Sequence, residues 1–202
     1  MGYPAKNEEQ RFTYGDYLKW LDDERWELID GIAYNMTPAP SVQHQRITGE
    51  LFRQLANYLQ GKPCEVFIAP FDVRLPQREE KDEDIDTVVQ PDILVICDPG
   101  KLDEKGCRGG PDLVVEVVSP STVQKDLKIK LGLYERVGVK EYWIFHPSDE
   151  TVMVFTLGQN GRYGRPEILT KEDRLKTSLF DELAIDLNLI FSPKGDSSTP
   201  DA

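Results

Sequence analysis

The chain has 202 residues and a formal net charge of −12, from 24 basic and 36 acidic side chains. Hydrophobic residues make up 39% and charged residues 30%, ordinary values for a globular protein with one proper core, and no apolar run approaches the roughly 18 residues needed to span a bilayer. Three cysteines, Cys64, Cys97 and Cys107, match no zinc-ligand spacing, so each is expected to be a small buried or loop thiol.

The polar stretch from Met1 to Gln10 has no signal-peptide core, which makes the cytoplasm the expected location. One domain over residues 13–191 is expected, with flexible tails at 1–12 and 192–202. Thr13 with Asp16 predicts a short helix from Tyr14 to Leu21. Asp30-Gly31 between strand-like runs in W-E-L-I-D-G-I-A-Y-N-M predicts a hairpin. Ser41 opens a helix to Gln60, closed by Gly61. Strands follow at Val66 to Ala69 and Phe71 to Leu75, interrupted by Pro70. Residues 76–87, P-Q-R-E-E-K-D-E-D-I-D-T, form a strongly acidic loop.

Val88 to Ile96 reads as one strand, Cys97 to Gly110 as a loop, and Leu113 to Val118 as a buried strand. Pro120 and Ser121 open a helix to Val137, stopped at Gly138. Lys140 to Phe145 is a strand, and Thr151 to Leu157 with Arg162 to Ile168 form a hairpin around Asn160-Gly161. Leu183 to Phe191 packs as a strand or a short helix.

The chemistry concentrates between Pro91 and Tyr134. Two apolar strands each carry one carboxylate, Asp92 and Glu116, and such groups are costly to bury without a cation. On a helical wheel with Leu127 at 0°, Lys130 falls at about 300° and Asp126 at about 260°, both inside the buried arc with Leu131 and Tyr134. Lys128 falls at about 100°, toward solvent. Asp126 and Lys130 are one turn apart and can pair. One reading is an ion pair that fixes helix register. The other joins Lys130 to the two carboxylates as a kit for metal-assisted phosphodiester hydrolysis, with oxygen ligands suited to Mg²⁺ or Mn²⁺. The same wheel turns His44 toward the core, either as a hydrogen-bonded structural residue or as a contact to phosphate or water.

These residues resemble the PD-(D/E)XK nuclease superfamily and, more narrowly, its Uma-type restriction-endonuclease family. The matching pieces are E-L-I-D-G at 27–31, H-Q-R-I at 44–47, F-D-V-R-L at 71–75, Q-P-D-I at 90–93, G-G-P-D-L-V-V-E-V-V-S-P-S at 109–121, the D…K…L-Y of 126–134, and G-V-K-E-Y-W-I at 138–144. The superfamily lysine stands two residues beyond the strand acid, a position held here by Val118. The Uma-type family is similar in taking its lysine from the following helix, where the wheel selects Lys130. His146 departs from the usual acidic residue before Pro147. The resemblance implies an α/β restriction-endonuclease-like core, a central mixed β-sheet flanked by helices, with N-terminal and C-terminal hairpin extensions, and a magnesium-dependent nuclease acting on DNA.

The expected site is therefore Asp92 and Glu116 holding one metal ion with the Val117 carbonyl, and Lys130 acting on the attacking water or the phosphate. Asp126 orients Lys130, and His44, Tyr134 and Asp72 stand nearby. Symmetric cutting of two DNA strands favours a homodimer. The negative charge favours a rival reading, a catalytically silent module for binding or assembly.

Overall fold

The computed structural model describes residues 10–20, 25–36, 39–119 and 124–192, and in it two six-stranded sheets carry the apolar runs. Thr13 opens α1 (Tyr14–Tyr17), its backbone N–H bonding Asp16 Oδ2 at 3.1 Å. The helix ends earlier than its sequence suggests, and Leu21 lies outside the described residues. β1 (Trp26–Ile29) and β2 (Ile32–Asn35) form the expected hairpin. Its turn takes positive φ at both Asp30 (48°) and Gly31 (77°), which is why Asp-Gly stands there.

Ser41 caps α2 (Val42–Leu59) by accepting a bond from the His44 backbone N–H. Ile47, Leu51, Leu55 and Leu59 make its buried stripe. β3 (Glu65–Ile68) edges the central sheet, and β4 (Val73–Arg74) joins the other sheet.

The run from Val88 to Ile96 is two strands, not one. β5 (Val88–Val89) pairs with β1 and β4 in the N-terminal sheet, while β6 (Ile93–Ile96) belongs to the central sheet. Pro91 separates them because it has no N–H to give a ladder. Asp92 therefore stands immediately before a strand rather than inside one. The expected loop at 97–110 also holds structure, a hairpin of β7 (Leu102–Asp103) and β8 (Gly106–Arg108). Gly106 is required there: its φ is 115°, and a Cβ would lie 2.3 Å from the Asp72 carbonyl oxygen.

β9 (Leu113–Val117) is buried throughout. Residues 120–123, where a helix start is expected, lie outside the described residues. Lys125–Lys130 then form a π-helical turn that continues into α3 (Leu131–Arg136), closed by Gly138 at φ 77°. β10 (Glu141–His146) runs parallel to β9, and β11 (Thr151–Thr156) and β12 (Glu167–Thr170) form the C-terminal hairpin. β13 (Arg174–Lys176) and β14 (Ala184–Asp186) make a two-stranded ribbon, and α4 (Leu187–Phe191) follows. The last apolar stretch is thus both strand and helix.

The central sheet has the order β12-β11-β10-β9-β6-β3, and β9 and β10 are its parallel pair. Side chains alternate across it as the period of two requires. Ile93, Val95, Leu113, Val115 and Val117 face α2, with Ile47, Leu51 and Leu55. Leu94, Val114, Val118, Tyr142 and Ile144 face α3 and the second sheet, with Leu133, Tyr134, Val73 and Val89.

One further expectation changes. Cys64 and Cys97 form a disulfide, with an S–S distance of 2.07 Å, and Cys107 is the free, buried cysteine. β3 and β6 pair Glu65 with Ile96, so the residues one step outward, Cys64 and Cys97, stand opposite each other. The acidic loop is anchored at Asp82, while Glu79, Glu83 and Asp84 stay exposed. Asp82 pairs with the fully buried Arg74 and, at 3.0 Å, with Arg108, and Arg74 also holds Asp103 at 2.6 Å. Among the described residues, no helix is long and apolar enough to cross a membrane.

Candidate active site

Antiparallel register builds the first half of the site. β6 and β9 pair Ile93 with Val115, so Asp92 and Glu116 face each other one position further along. Asp92 Oδ2 accepts the Val117 backbone N–H at 2.8 Å and lies 3.1 Å from His44 Nε2. His44 comes from the first turn of α2, where Ser41 sets the chain direction. Thr48 Oγ1 lies 3.4 Å from the other ring nitrogen of His44. His44 thus holds one oxygen of Asp92 in place.

The second half comes from the π-helical turn and α3. Lys130 is 2% exposed, and its ammonium lies 2.7 Å from Glu116 Oε1, 2.7 Å from Glu27 Oε1 and 3.8 Å from Asp126 Oδ1. Tyr134 donates its hydroxyl to Glu116 Oε1 at 3.1 Å. Lys128, two residues from Lys130, is exposed. Asp126 is the most distant of the three acids around Lys130, while the Tyr142 hydroxyl bonds its backbone carbonyl. Asp72 is not part of this cluster. It accepts bonds from Tyr17 and Gln90, at 3.1 and 2.8 Å, in a neighbouring polar network.

Glu27 is the residue that the sequence reading passed over. It is fully buried on β1, and its Oε1 takes Lys130 and the Gln90 backbone N–H at 3.1 Å, while Oε2 takes Lys125 at 2.7 Å. The signal was present: W-E-L-I places an acid within an apolar strand, the same anomaly that singles out Glu116. Lys125 was hidden for a different reason. In an α-helix, residues five apart are separated by about 140°, which would turn Lys125 away from Lys130. A π-helix closes its turn with i→i+5 bonds and brings such residues onto one side.

The electrostatics follow from burial. Desolvation works against the charge on Lys130, but Glu116, Glu27 and Asp126 outweigh it and hold the ammonium protonated well above its ordinary range. Burial also opposes the charge on Glu27, yet Lys130 and Lys125 together bring its carboxyl down to about 2. Glu116 goes the other way. Burial raises it well above the ordinary carboxyl range, Lys130 opposes, and Asp126, Asp92 and Glu27 raise it further. Burial and the Glu116 charge keep Tyr134 protonated, so it is a donor.

Glu27, Asp92 and Asp126 all act on Glu116 against two ammonium groups, Lys125 and Lys130, so the cluster is short of positive charge, and a cation beside Asp92 and Glu116 would favour the ionised Glu116 carboxylate. Among the described residues, no group of three or more His, Cys, Asp or Glu side chains could hold a metal ion.

Comparison with known proteins places the chain in a family. The family model described as "Putative restriction endonuclease", Uma2, matches residues 14–188. An uncharacterised protein from Synechocystis sp. is 31% identical over 121 residues, which is 59% of this chain and 60% of that protein, so the alignment spans less than two thirds of its length. A crystal structure of a putative nuclease from Anabaena variabilis has the same fold, with a TM-score of 0.70 at 19% identity, covering 89% of this chain and 97% of the other. With the family model spanning nearly the whole described chain, the protein belongs to the Uma2 family of restriction-endonuclease-like proteins.

Proposed function

We propose that this protein is a Mg²⁺-dependent endonuclease that hydrolyses DNA phosphodiester bonds, with Asp92 and Glu116 as metal ligands and Lys130 as the catalytic lysine. The observation that carries the reading is the register pairing of Asp92 with Glu116 and the Lys130 ammonium 2.7 Å from Glu116. When bound, Mg²⁺ supplies positive charge to the phosphate and lowers the pKa of a bound water. The Val117 carbonyl is proposed as a third protein ligand. His44 fixes the rotamer of Asp92, and Tyr134 and Lys130 fix Glu116 by holding Oε1. Lys130, itself 2% exposed, sets positive charge toward the reacting phosphate from a buried position, where it counts for more than at a surface. Asp126 supports Lys130 across one turn.

The net charge of −12 favours a second reading, a silent module of the same fold that binds or assembles without cutting. Metal binding separates the two. Titration calorimetry with Mn²⁺ should show one site in the wild type and none in Asp92→Asn or Glu116→Gln. Equal heats in all three proteins would remove this pair as the metal site.

A further inference from the structure

We infer that Lys125 is a DNA-phosphate contact of this chain, the outer member of a two-lysine clamp that Glu27 and the π-helical turn assemble. The inference rests on the nuclease reading above and names a substrate contact within it. Glu27 divides its oxygens between the lysines: Oε1 takes Lys130 and Oε2 takes Lys125, each at 2.7 Å. The lysines differ in what they have left to offer. Lys130 is 2% exposed and surrounded by three acids, so its donors are turned inward. The Lys125 side chain is 18% exposed. An ammonium has three donors, and among the described residues Lys125 gives a hydrogen bond only to Glu27.

The geometry is specific to the π-helical turn. Residues 125 and 130 both reach one carboxylate because the turn closes over five residues. A β1 side chain from the N-terminal sheet thereby sets the position of two cations on the helix that covers the central sheet. Glu27 is a positioning residue in this arrangement. It holds Lys130 against Glu116 and keeps the more exposed Lys125 ammonium on the other oxygen of the same carboxylate, so a phosphate approaching Asp92 and Glu116 would meet a second positive charge. An overall acidic chain has particular need of such a local charge to accept a polyanion.

The test is a salt titration of binding to a fluorescein-labelled DNA duplex, with Ca²⁺ replacing Mg²⁺ so that binding is read apart from cleavage. It is followed by steady-state cleavage in Mg²⁺. Lys125→Gln should weaken binding roughly tenfold, as loss of one charged hydrogen bond does, and lower the slope of log K against log salt by about one. KM should rise with kcat kept. Lys125→Arg should restore the slope, and Lys128→Gln, at an exposed lysine on the same turn, should leave it unchanged. A Lys125→Gln protein with an unaltered slope and KM, beside a wild type that binds and cuts, overturns the clamp and leaves the nuclease reading standing. Loss of kcat alone makes Lys125 only a structural partner of Glu27 and overturns it too. A wild type that neither binds nor cuts the duplex overturns both.

Discussion

Replacing Glu27 by Gln tests the electrostatics of the site without a change of shape. The carboxyl is fully buried and held at about 2, against an ordinary value of 4.5, because Lys130 and Lys125 outweigh the cost of its burial. A carboxyl shifted that far contributes about 3 kcal/mol of stability when it is ionised in both the folded and unfolded states. The pKa is depressed, so the unfolded chain binds more protons below 4.5. The contribution is therefore complete above pH 4.5 and is lost as the pH falls toward 2. Urea denaturation of the wild type and Glu27→Gln should give a gap of about 3 kcal/mol at pH 7. The gap should be the same at pH 6 and smaller at pH 4, where part of the unfolded chains bind a proton. A gap under about 1 kcal/mol at pH 7, the range of an exposed ion pair, would refute the buried two-lysine arrangement. So would a gap that grows on acidification.

Thiol labelling tests the cysteine assignment. Burial pushes the Cys107 thiol up to about 11, and Cys64 and Cys97 are joined, so the native protein should react with no thiol reagent at pH 7. The denatured protein should show one thiol, and the denatured, reduced protein three. Three thiols without reductant would contradict the pairing. In the acidic loop, Glu79, Glu83 and Asp84 are exposed, whereas Asp82 anchors the loop through Arg74. Replacing those three by Gln or Ser should tighten DNA binding at low salt, with the gain fading as salt rises; unchanged binding at low salt would make the loop an idle solvated segment.

The apolar strands, the long amphipathic helix and both Gly-marked hairpins were legible because each rests on local chemistry. The burial of Lys130 and Asp126 was legible from helical periodicity, and that of Glu116 from its place in an apolar strand. What escaped depends on long-range pairing. The break at Pro91 sends one apolar run into two sheets, although the proline itself was a readable warning. The Cys64–Cys97 bond requires the register of β3 on β6, which no spacing rule supplies. Glu27 and Lys125 meet only because the N-terminal sheet packs against the π-helical turn, and an α-helical wheel places Lys125 on the wrong side. Asp72 looked like a spare ligand in sequence, but it is committed to Tyr17 and Gln90.

The most direct test of the account is cleavage of supercoiled, linear and single-stranded DNA by the purified protein, with Mg²⁺, with Mn²⁺ and with EDTA. The wild type should nick or linearise DNA only with a divalent ion. Asp92→Asn, Glu116→Gln and Lys130→Ala should each lose at least about a hundredfold in kcat, the scale of one lost transition-state contact. Lys130→Ala should still bind Mn²⁺, and Lys128→Ala should cut like the wild type. Cleavage that persists in EDTA, or equal loss from Lys128→Ala and Lys130→Ala, would contradict the assignment of a metal pair and a helix-borne lysine.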